Sequence, residues 1–157
     1  MTTKIELPKH LSEYLLGRFG NNNIVTLPST CSLYHIIYEI LQRRPANCPV
    51  DCGNTEIRLP SPRHAHKAAG KPIQTYNYIS KRGVSILTKA INTMMKVEAH
   101  EYFDENKHVK GIDYIESAYA FLERYGIEHL TAEALLKDYQ RWRNKIGRKT
   151  LYRKKRV

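Results

Sequence analysis

The C-terminal segment of this chain carries the residue types that bind phosphate. Residues 139–157 contain no acidic residue, and the nine lysines and arginines among them supply most of the formal net charge of +11. Lysine and arginine at this density neutralise phosphates and release counterions, which is the main source of affinity for nucleic acid. The segment therefore predicts a polyanionic partner, and nucleic acid is the polyanion that we favour. The nine cations are Arg141, Arg143, Lys145, Arg148, Lys149, Arg153, Lys154, Lys155 and Arg156.

Part of this charge falls on one face of a predicted helix. Four apolar residues recur at the spacing of a single helix face, and we expect them to be buried. They are Leu135, Tyr139, Trp142 and Ile146. Four polar residues with the same spacing form a second face toward solvent: Lys137, Arg141, Asn144 and Arg148. Arginine can donate two hydrogen bonds to guanine or to a phosphate, and asparagine can pair with adenine, so this face is suited to reading bases. Stacking of Trp142 on a base is the alternative to its burial.

Residues 118–143 resemble the helix-turn-helix of DNA-binding proteins. The resemblance rests on a helix that closes at Gly126, a turn, and a second helix with one basic face that begins after Thr131. It implies that residues 131–145 take the place of the recognition helix, which enters the major groove. The usual motif has a small residue four positions before the turn glycine, where this chain has Leu122, and its turn is shorter.

Two further basic segments are predicted to lie outside the folded elements. Residues 148–157 are too charged to fold alone, and we expect a disordered arm that follows the phosphates of a bound nucleic acid. Residues 61–75 have two prolines and no apolar period, which indicates an exposed linker. We expect the linker to supply a second, weaker phosphate contact through Arg63, Lys67 and Lys71.

Cysteines and histidines offer a different chemistry. Cys48 and Cys52, followed by His64 and His66, are four ligands of the type that zinc prefers. The two histidines are separated by one residue, whereas a zinc finger separates them by about three to five. We therefore favour two loop cysteines and two loop histidines with no metal, and keep zinc as the alternative.

The same histidine pair also resembles the metal-binding pair of single-strand nicking enzymes. Those enzymes hold a divalent metal through two histidines and attack phosphate with a tyrosine. In this chain only alanine stands between His64 and His66, and no tyrosine is singled out by spacing. His100, Asp104 and His108 form another candidate set at helical spacing, but a helix end predicted at Asp104 would separate them. No glycine-rich phosphate loop or nucleophile elbow is present, so we predict no enzyme and no cofactor.

The elements that position these residues predict the α+β class. Three segments that alternate apolar and polar residues before a proline indicate short strands, at 5–8, 25–28 and 57–60. Helical periodicity lies between them and again over 80–103, 113–125 and from 132 onward. The prediction is a small mixed sheet of short strands with two helices, followed by a three-helix C-terminal half and a basic tail. Its divisions are a β-α-β-α-β subdomain over 1–60, a linker over 61–75, a helical subdomain over 76–147 and an arm over 148–157.

A second resemblance concerns the helical half. The segments Tyr76-Asn77-Tyr78-Ile79-Ser80 and Tyr139-Gln140-Arg141-Trp142-Arg143, with Phe103-Asp104 between them, resemble small uncharacterised basic proteins of prophages and conjugative elements of gut bacteria. The resemblance implies a mobile-element protein that handles DNA, and it carries over no site residues.

Together these patterns predict a cytoplasmic DNA-binding regulator or accessory factor of a phage or mobile element. DNA is favoured over RNA, and no membrane partner is expected, because the basic tail lacks a sustained amphipathic helix. The N-terminal half would then dimerise or dock a protein. One alternative is a phage or ribonucleoprotein assembly protein whose tail threads into RNA or packaged DNA. The other is the metal-dependent nicking enzyme.

Overall fold

The computed structural model describes residues 1–60 and 72–155, and for 148–155 it describes the helical backbone only. The fold class is α+β, as the sequence predicts. The chain divides into two compact units, Met1–Thr93 and Met94–Val157, and the boundary falls inside a long helix. No helix among the described residues combines the length and the apolarity needed to cross a membrane.

The first unit is built around a small mixed sheet. The strands of this unit are β1 (Thr2–Ile5), β2 (Gly20–Asn21), β3 (Ile24–Val25), β4 (Gln42–Arg43), β5 (Thr55–Arg58) and β6 (Tyr76–Tyr78). The order in the sheet is β1-β5-β3-β2, in which β3 and β5 run parallel and the other pairs antiparallel. β4 and β6 form a separate antiparallel pair. Residues 76–78, which we predicted as part of the helical subdomain, thus belong to the first unit.

Two short helices supply part of the core of this unit. They are α1 (Lys9–Phe19) and α2 (Ser32–Ile40). Their apolar positions recur at helical spacing, and their buried side chains lie with those of the sheet. The fully buried members are Leu11, Tyr14, Leu15, Leu33, Ile37 and Ile57. Burying one such side chain stabilises a fold by roughly 1.5–3 kcal/mol, so this unit has a core of its own.

Each predicted strand is present but begins earlier than the proline rule placed it. The first, for example, ends at Ile5 rather than at Pro8. Leu7 is buried, yet its backbone N–H donates to Asn54 Oδ1 at 3.0 Å and its carbonyl accepts from Asn54 Nδ2 at 2.7 Å. One asparagine side chain therefore satisfies the backbone that a neighbouring strand would otherwise have satisfied.

A tight hairpin joins α1 to β3 and was missed by the sequence analysis. Asn22 and Asn23 both have positive φ, 52° and 63°, as a two-residue type I′ turn requires. Gly20 precedes the turn, and a Cβ there would lie 2.2 Å from the carbonyl oxygen of Leu16. The run of asparagines after a glycine was the signal, because asparagine tolerates the left-handed region better than most residues.

Arg44 joins four segments of the first unit. Its Nη1 and Nη2 donate to the two carboxylate oxygens of Asp51, at 3.1 and 2.7 Å. Its Nε donates to Asn77 Oδ1 at 2.7 Å, while Thr3 Oγ1 donates to Asp51 Oδ2 at 2.9 Å. The hydrogen bond from Arg44 lowers the pKa of Asp51 below its ordinary value, although burial acts in the opposite direction. A bidentate pair of this kind fixes the loop that contains Asp51, and the hydrogen bonds to Thr3 and Asn77 connect this loop to β1 and β6.

The second unit consists of three helices. They are the part of α3 (Lys81–His108) from Met94 onward, α4 (Tyr114–Tyr125) and α5 (Ala132–Lys155). The predicted end of α3 at Asp104 is wrong, because the helix continues for another turn. Asn106 in that turn is buried and its Nδ2 donates to Ser117 Oγ at 3.1 Å, and Asp104 accepts a hydrogen bond from the Tyr139 hydroxyl. Polar residues that the sequence assigned to solvent thus form hydrogen bonds inside the unit.

The turn between α4 and α5 has the caps that the sequence predicts. Gly126 has a φ of 65°, and the N–H of Ile127 donates to the Leu122 carbonyl at 2.8 Å, which is a Schellman ending. Thr131 Oγ1 accepts from the N–H of Ala134 at 3.2 Å and so caps α5. On α4, Ala118, Phe121, Leu122 and Tyr125 are buried, while Ile115 and Tyr119 are exposed.

α5 is longer than predicted. The expected helix end near Gly147 and the expected disordered arm from Arg148 are not found, because the helical backbone continues to Lys155. Arginine, lysine and leucine are good helix formers, and one glycine in a helix costs only about 1 kcal/mol relative to alanine. The basic residues up to Lys155 are therefore carried on one helix.

Candidate nucleic-acid interface

The outer face of α5 presents the predicted cationic residues to solvent. Lys137, Arg141 and Asn144 are all exposed, and their i, i+4, i+7 spacing places them on one face. Lys145 is also exposed and borders this face. None of the four has a hydrogen-bond or ion-pair partner within the part of the chain that the structure describes. We call Lys137, Arg141, Asn144 and Lys145 the basic face.

The basic face continues along α5 by helical register. Positions 148 and 155 lie eleven and eighteen residues after Lys137, and both return to the same side of a helix with 3.6 residues per turn. The face then extends over roughly 27 Å at a rise of 1.5 Å per residue. The structure describes only the backbone for Arg148, Lys149, Arg153, Lys154 and Lys155. Arg156 and the predicted linker contacts Arg63, Lys67 and Lys71 lie outside the described residues.

Arg143 does not belong with the basic face. Its Nη1 donates to the hydroxyl of Tyr114 at 2.9 Å, and its guanidinium lies 5.8 Å from the centre of that ring. We predicted Arg143 as a nucleic-acid contact because it lies in the acid-free run. Its position on α5 directs it to α4, so it contributes to the packing of the two helices, and its contact with nucleic acid stays a prediction.

The inner face of α5 is buried over only half of its predicted length. Leu135 and Tyr139 are buried, as expected, but Trp142 is 39% exposed and Ile146 is 45% exposed. The predicted burial of Trp142 and Ile146 is therefore wrong. Periodicity gives the direction of a side chain, but burial also requires a neighbour at that height along the helix. The imidazole of His100 lies 4.7 Å from Trp142 between ring centres and covers only part of the indole.

A polar cluster connects α3 to α5 beside Trp142. The carboxylate of Asp138 accepts from Lys96 Nζ at 3.0 Å and lies 3.1 Å from His100 Nε2. The His100 ring in turn meets Tyr139 edge-on at 5.5 Å. The sequence identified His100 only as a metal candidate. Nothing in the local pattern pointed to Asp138, thirty-eight positions away, as its partner.

The metal candidates do not form a site among the described residues. α3 is continuous through His100, Asp104 and His108, so the spacing that we expected to be broken is intact. However, no group of three or more potential ligands comes together in the described part of the chain. Cys48 and Cys52 line a cavity of about 410 Å³ in the first unit, and Cys48 Sγ lies 3.7 Å from Arg44 Nη1. Their proposed zinc partners His64 and His66, which are also the nicking pair, lie outside the described residues.

We expect acid to destabilise the second unit through Asp138. Burial favours its neutral form, but hydrogen bonds from Lys96 and His100 outweigh burial and hold the pKa of Asp138 below its ordinary value. A carboxyl with a lowered folded-state pKa contributes stability above its unfolded pKa, and this stability is lost as the pH falls through the folded value. Asp138→Asn should therefore be less stable than the parent at pH 7, and the difference should shrink below about pH 4. Urea unfolding from pH 7 to pH 2.5 measures this.

The matched control for this prediction is Asp113→Asn. Asp113 is an exposed carboxylate of the same unit, 3.4 Å from Lys107 Nζ, and an exposed pair of this kind contributes about 0–1 kcal/mol. Its removal should leave the loss of stability in acid almost unchanged. If Asp138→Asn and the parent keep the same difference in unfolding free energy at every pH, the network does not hold Asp138 ionised.

No protein-family model, no curated protein and no solved structure matches this chain. The helix-turn-helix and mobile-element resemblances therefore stay predictions.

Proposed function

We propose that this protein binds nucleic acid through the basic face of α5, and that double-stranded DNA is its favoured ligand. The observation that carries the proposal is the exposure of Lys137, Arg141 and Asn144 on one side of a helix whose other side is anchored by Leu135 and Tyr139. The helix fixes the backbone that carries these cations, so binding costs less backbone freedom than it would for cations on a disordered tail.

The charge around the basic face supports an anionic ligand. The acidic residue nearest to it along α5, Asp138, is engaged by Lys96 and His100. From Tyr139 onward the sequence has no acid at all. The cations of this face have no ion-pair partner among the described residues, and phosphates would neutralise them with release of counterions.

The shape of the interface favours DNA over RNA. A single exposed helix fits the major groove of B-form DNA, whereas the major groove of an RNA duplex is too narrow and deep for side chains to read. In the major groove Arg141 would pair with guanine and Asn144 with adenine. Lys137, one turn before Arg141, would contact a phosphate. A regulator or accessory factor of a phage or mobile element, working in the cytoplasm, is the role that we favour.

The test is a mobility-shift assay with the full chain on duplex DNA, single-stranded DNA and RNA. We expect the duplex to be bound with a logarithmic affinity that falls with the logarithm of salt concentration at a slope of about −0.9 for each phosphate contact. Selection from random duplexes should yield a preferred site, in which a wrong base pair costs roughly 1–3 kcal/mol. If no nucleic acid is bound at low salt, the proposal is wrong.

A chain that ends at Gly147 separates the two sources of charge. It keeps Lys137, Arg141, Asn144 and Lys145 and loses the last ten residues, so we expect the same preferred site with a shallower salt slope. If the truncated chain lost its sequence preference together with its affinity for duplex DNA, the result would instead support the assembly protein whose tail threads into RNA or packaged DNA. Equal affinity for all three nucleic acids in the full chain would support the same alternative.

A further inference from the structure

Trp142 is a large aromatic side chain that the fold leaves partly open. It is the single tryptophan of the chain and is 39% exposed, although it lies on the same side of α5 as the buried Tyr139. An indole left in water forfeits part of the stabilisation that its burial would provide, so its exposure requires an explanation. The basic face does not use it, because Trp142 lies on a different side of the helix from Lys137 and Asn144.

The indole is supported on one side. The His100 imidazole lies 4.7 Å from Trp142 between ring centres, and the two rings are tilted by 32° relative to each other. His100 is itself held by Asp138 at 3.1 Å, and Asp138 by Lys96 at 3.0 Å. The orientation of Trp142 is therefore fixed before any ligand arrives. Its indole N–H has no hydrogen-bond partner within the described part of the chain.

A cation lies beside Trp142 on the surface of α5. Lys145 lies three residues later and so occupies the neighbouring position on the helix surface, and its side chain is exposed. Asp138, one turn before Trp142, is paired inside the unit. An aromatic ring next to an unpaired cation is the arrangement that proteins use to bind single-stranded nucleic acid, in which bases stack on the ring and phosphates meet the cation.

We propose that Trp142 is a stacking platform for an unpaired base, and that the nucleic acid bound by this protein includes a single-stranded segment next to its duplex. The inference rests on the proposed function and names the ligand more narrowly. A helix in the major groove touches the edges of paired bases, so a duplex alone offers Trp142 no base face. An unpaired base offers its face to Trp142, in DNA and in RNA alike. Stacking tolerates any base, because each base has a π-face.

The sole tryptophan makes this inference directly measurable. The full chain is titrated at low salt with four ligands. Two are single strands, a deoxythymidine strand of about 12 nucleotides, which is within the usual site size, and the matching uridine strand. The other two are a blunt duplex and the same duplex with a single-stranded extension. We expect both single strands and the extended duplex to quench the fluorescence of Trp142. The blunt duplex should bind with little quenching, and more weakly than the extended one. The two single strands then show whether DNA or RNA is preferred.

Two substitutions separate stacking from simple packing. Trp142→Phe keeps an aromatic ring, while Trp142→Leu keeps an apolar contact to His100 without one. We expect Trp142→Leu to bind the single strands about 5- to 150-fold more weakly and Trp142→Phe to retain most of the affinity, with little change for the blunt duplex in either. Tyr119→Ala is the matched control, because Tyr119 is an exposed aromatic residue of the same unit, on α4. It should leave all four affinities unchanged.

Three results would overturn the inference. They are binding of single strands without quenching, equal losses in Trp142→Leu and Trp142→Phe, and equal losses on blunt duplex and single strand. Circular dichroism and urea unfolding of each variant show that a loss is not caused by unfolding. If the blunt duplex binds but Trp142 plays no part, the proposed function stands and this inference alone fails. If no oligonucleotide binds, both fail.

Discussion

Replacing Lys137 and Arg141 together by glutamate should weaken the binding of duplex DNA at least roughly 100-fold at moderate salt. The double variant removes two contacts with phosphate or base and places two negative charges against the same backbone. Lys137 is the phosphate contact of the pair and Arg141 the base contact, so the salt slope should also become shallower by about 0.9. Both side chains are exposed and have no partner among the described residues, so their replacement should not disturb the fold. The measurement is a mobility-shift titration at several salt concentrations.

The matched control for this variant is Arg82→Glu with Lys89→Glu. Arg82 and Lys89 are exposed on the part of α3 that belongs to the first unit, and their replacement changes the net charge by the same amount. A local interface predicts nearly full affinity for the control. If the control loses as much affinity as the α5 variant, the net charge of the chain drives the binding and the basic face has no special part in it.

The direction of the α5 side chains could be predicted from the sequence, whereas their burial could not. Helical periodicity placed Lys137 and Arg141 opposite Leu135 and Tyr139, and these four positions are exposed and buried as expected. The same periodicity placed Trp142 in the core. Whether a position is covered depends on which side chains of other helices reach it, and this is a tertiary property that no pattern within α5 contains.

The ends of helices were missed for a related reason. Asp104 and Asn106 are polar and marked a helix end in the sequence, because polar residues in series usually lie in water. In the structure they are satisfied by the Tyr139 hydroxyl and by Ser117 Oγ, so α3 continues. The cap of α5 at Thr131 and the close of α4 at Gly126 were found, since these signals are local and involve only the adjacent turn.

The strands were recognised by type but placed too late. Alternation before a proline identified three strands of the sheet, yet the backbone next to each proline lies outside the ladder. At Leu7 the side chain of Asn54 provides both hydrogen bonds, and a partner forty-seven positions away leaves no trace in a local pattern. The same holds for β6, whose pairing with β4 joins residues on the two sides of the predicted linker.

The second large effect concerns Tyr139, the residue that positions both the basic face and Trp142. The side chain of Tyr139 is 1% exposed. Between ring centres, it lies 5.1 Å from Phe103 on α3 and 5.3 Å from Tyr114 on α4. Its hydroxyl donates to Asp104. Burial and this hydrogen bond raise the pKa of Tyr139, so the phenol stays neutral and keeps its proton for Asp104. Tyr139 therefore links three helices through one side chain.

Tyr139→Ala should lower the free energy of unfolding of the second unit by about 3–5 kcal/mol, as the truncation of a buried aromatic residue usually does. Tyr139→Phe keeps the ring and leaves Asp104 without its donor, so a loss of about 1–3 kcal/mol is expected. Tyr119→Ala, which truncates an exposed tyrosine of the same unit, should change stability by less than about 0.5 kcal/mol. Urea unfolding followed by Trp142 fluorescence measures all three.

DNA binding by Tyr139→Phe should persist, because the direction of α5 depends on the ring. If Tyr139→Ala is as stable as the parent, α5 is not anchored by this residue, and the fixed orientation on which base reading depends has no support.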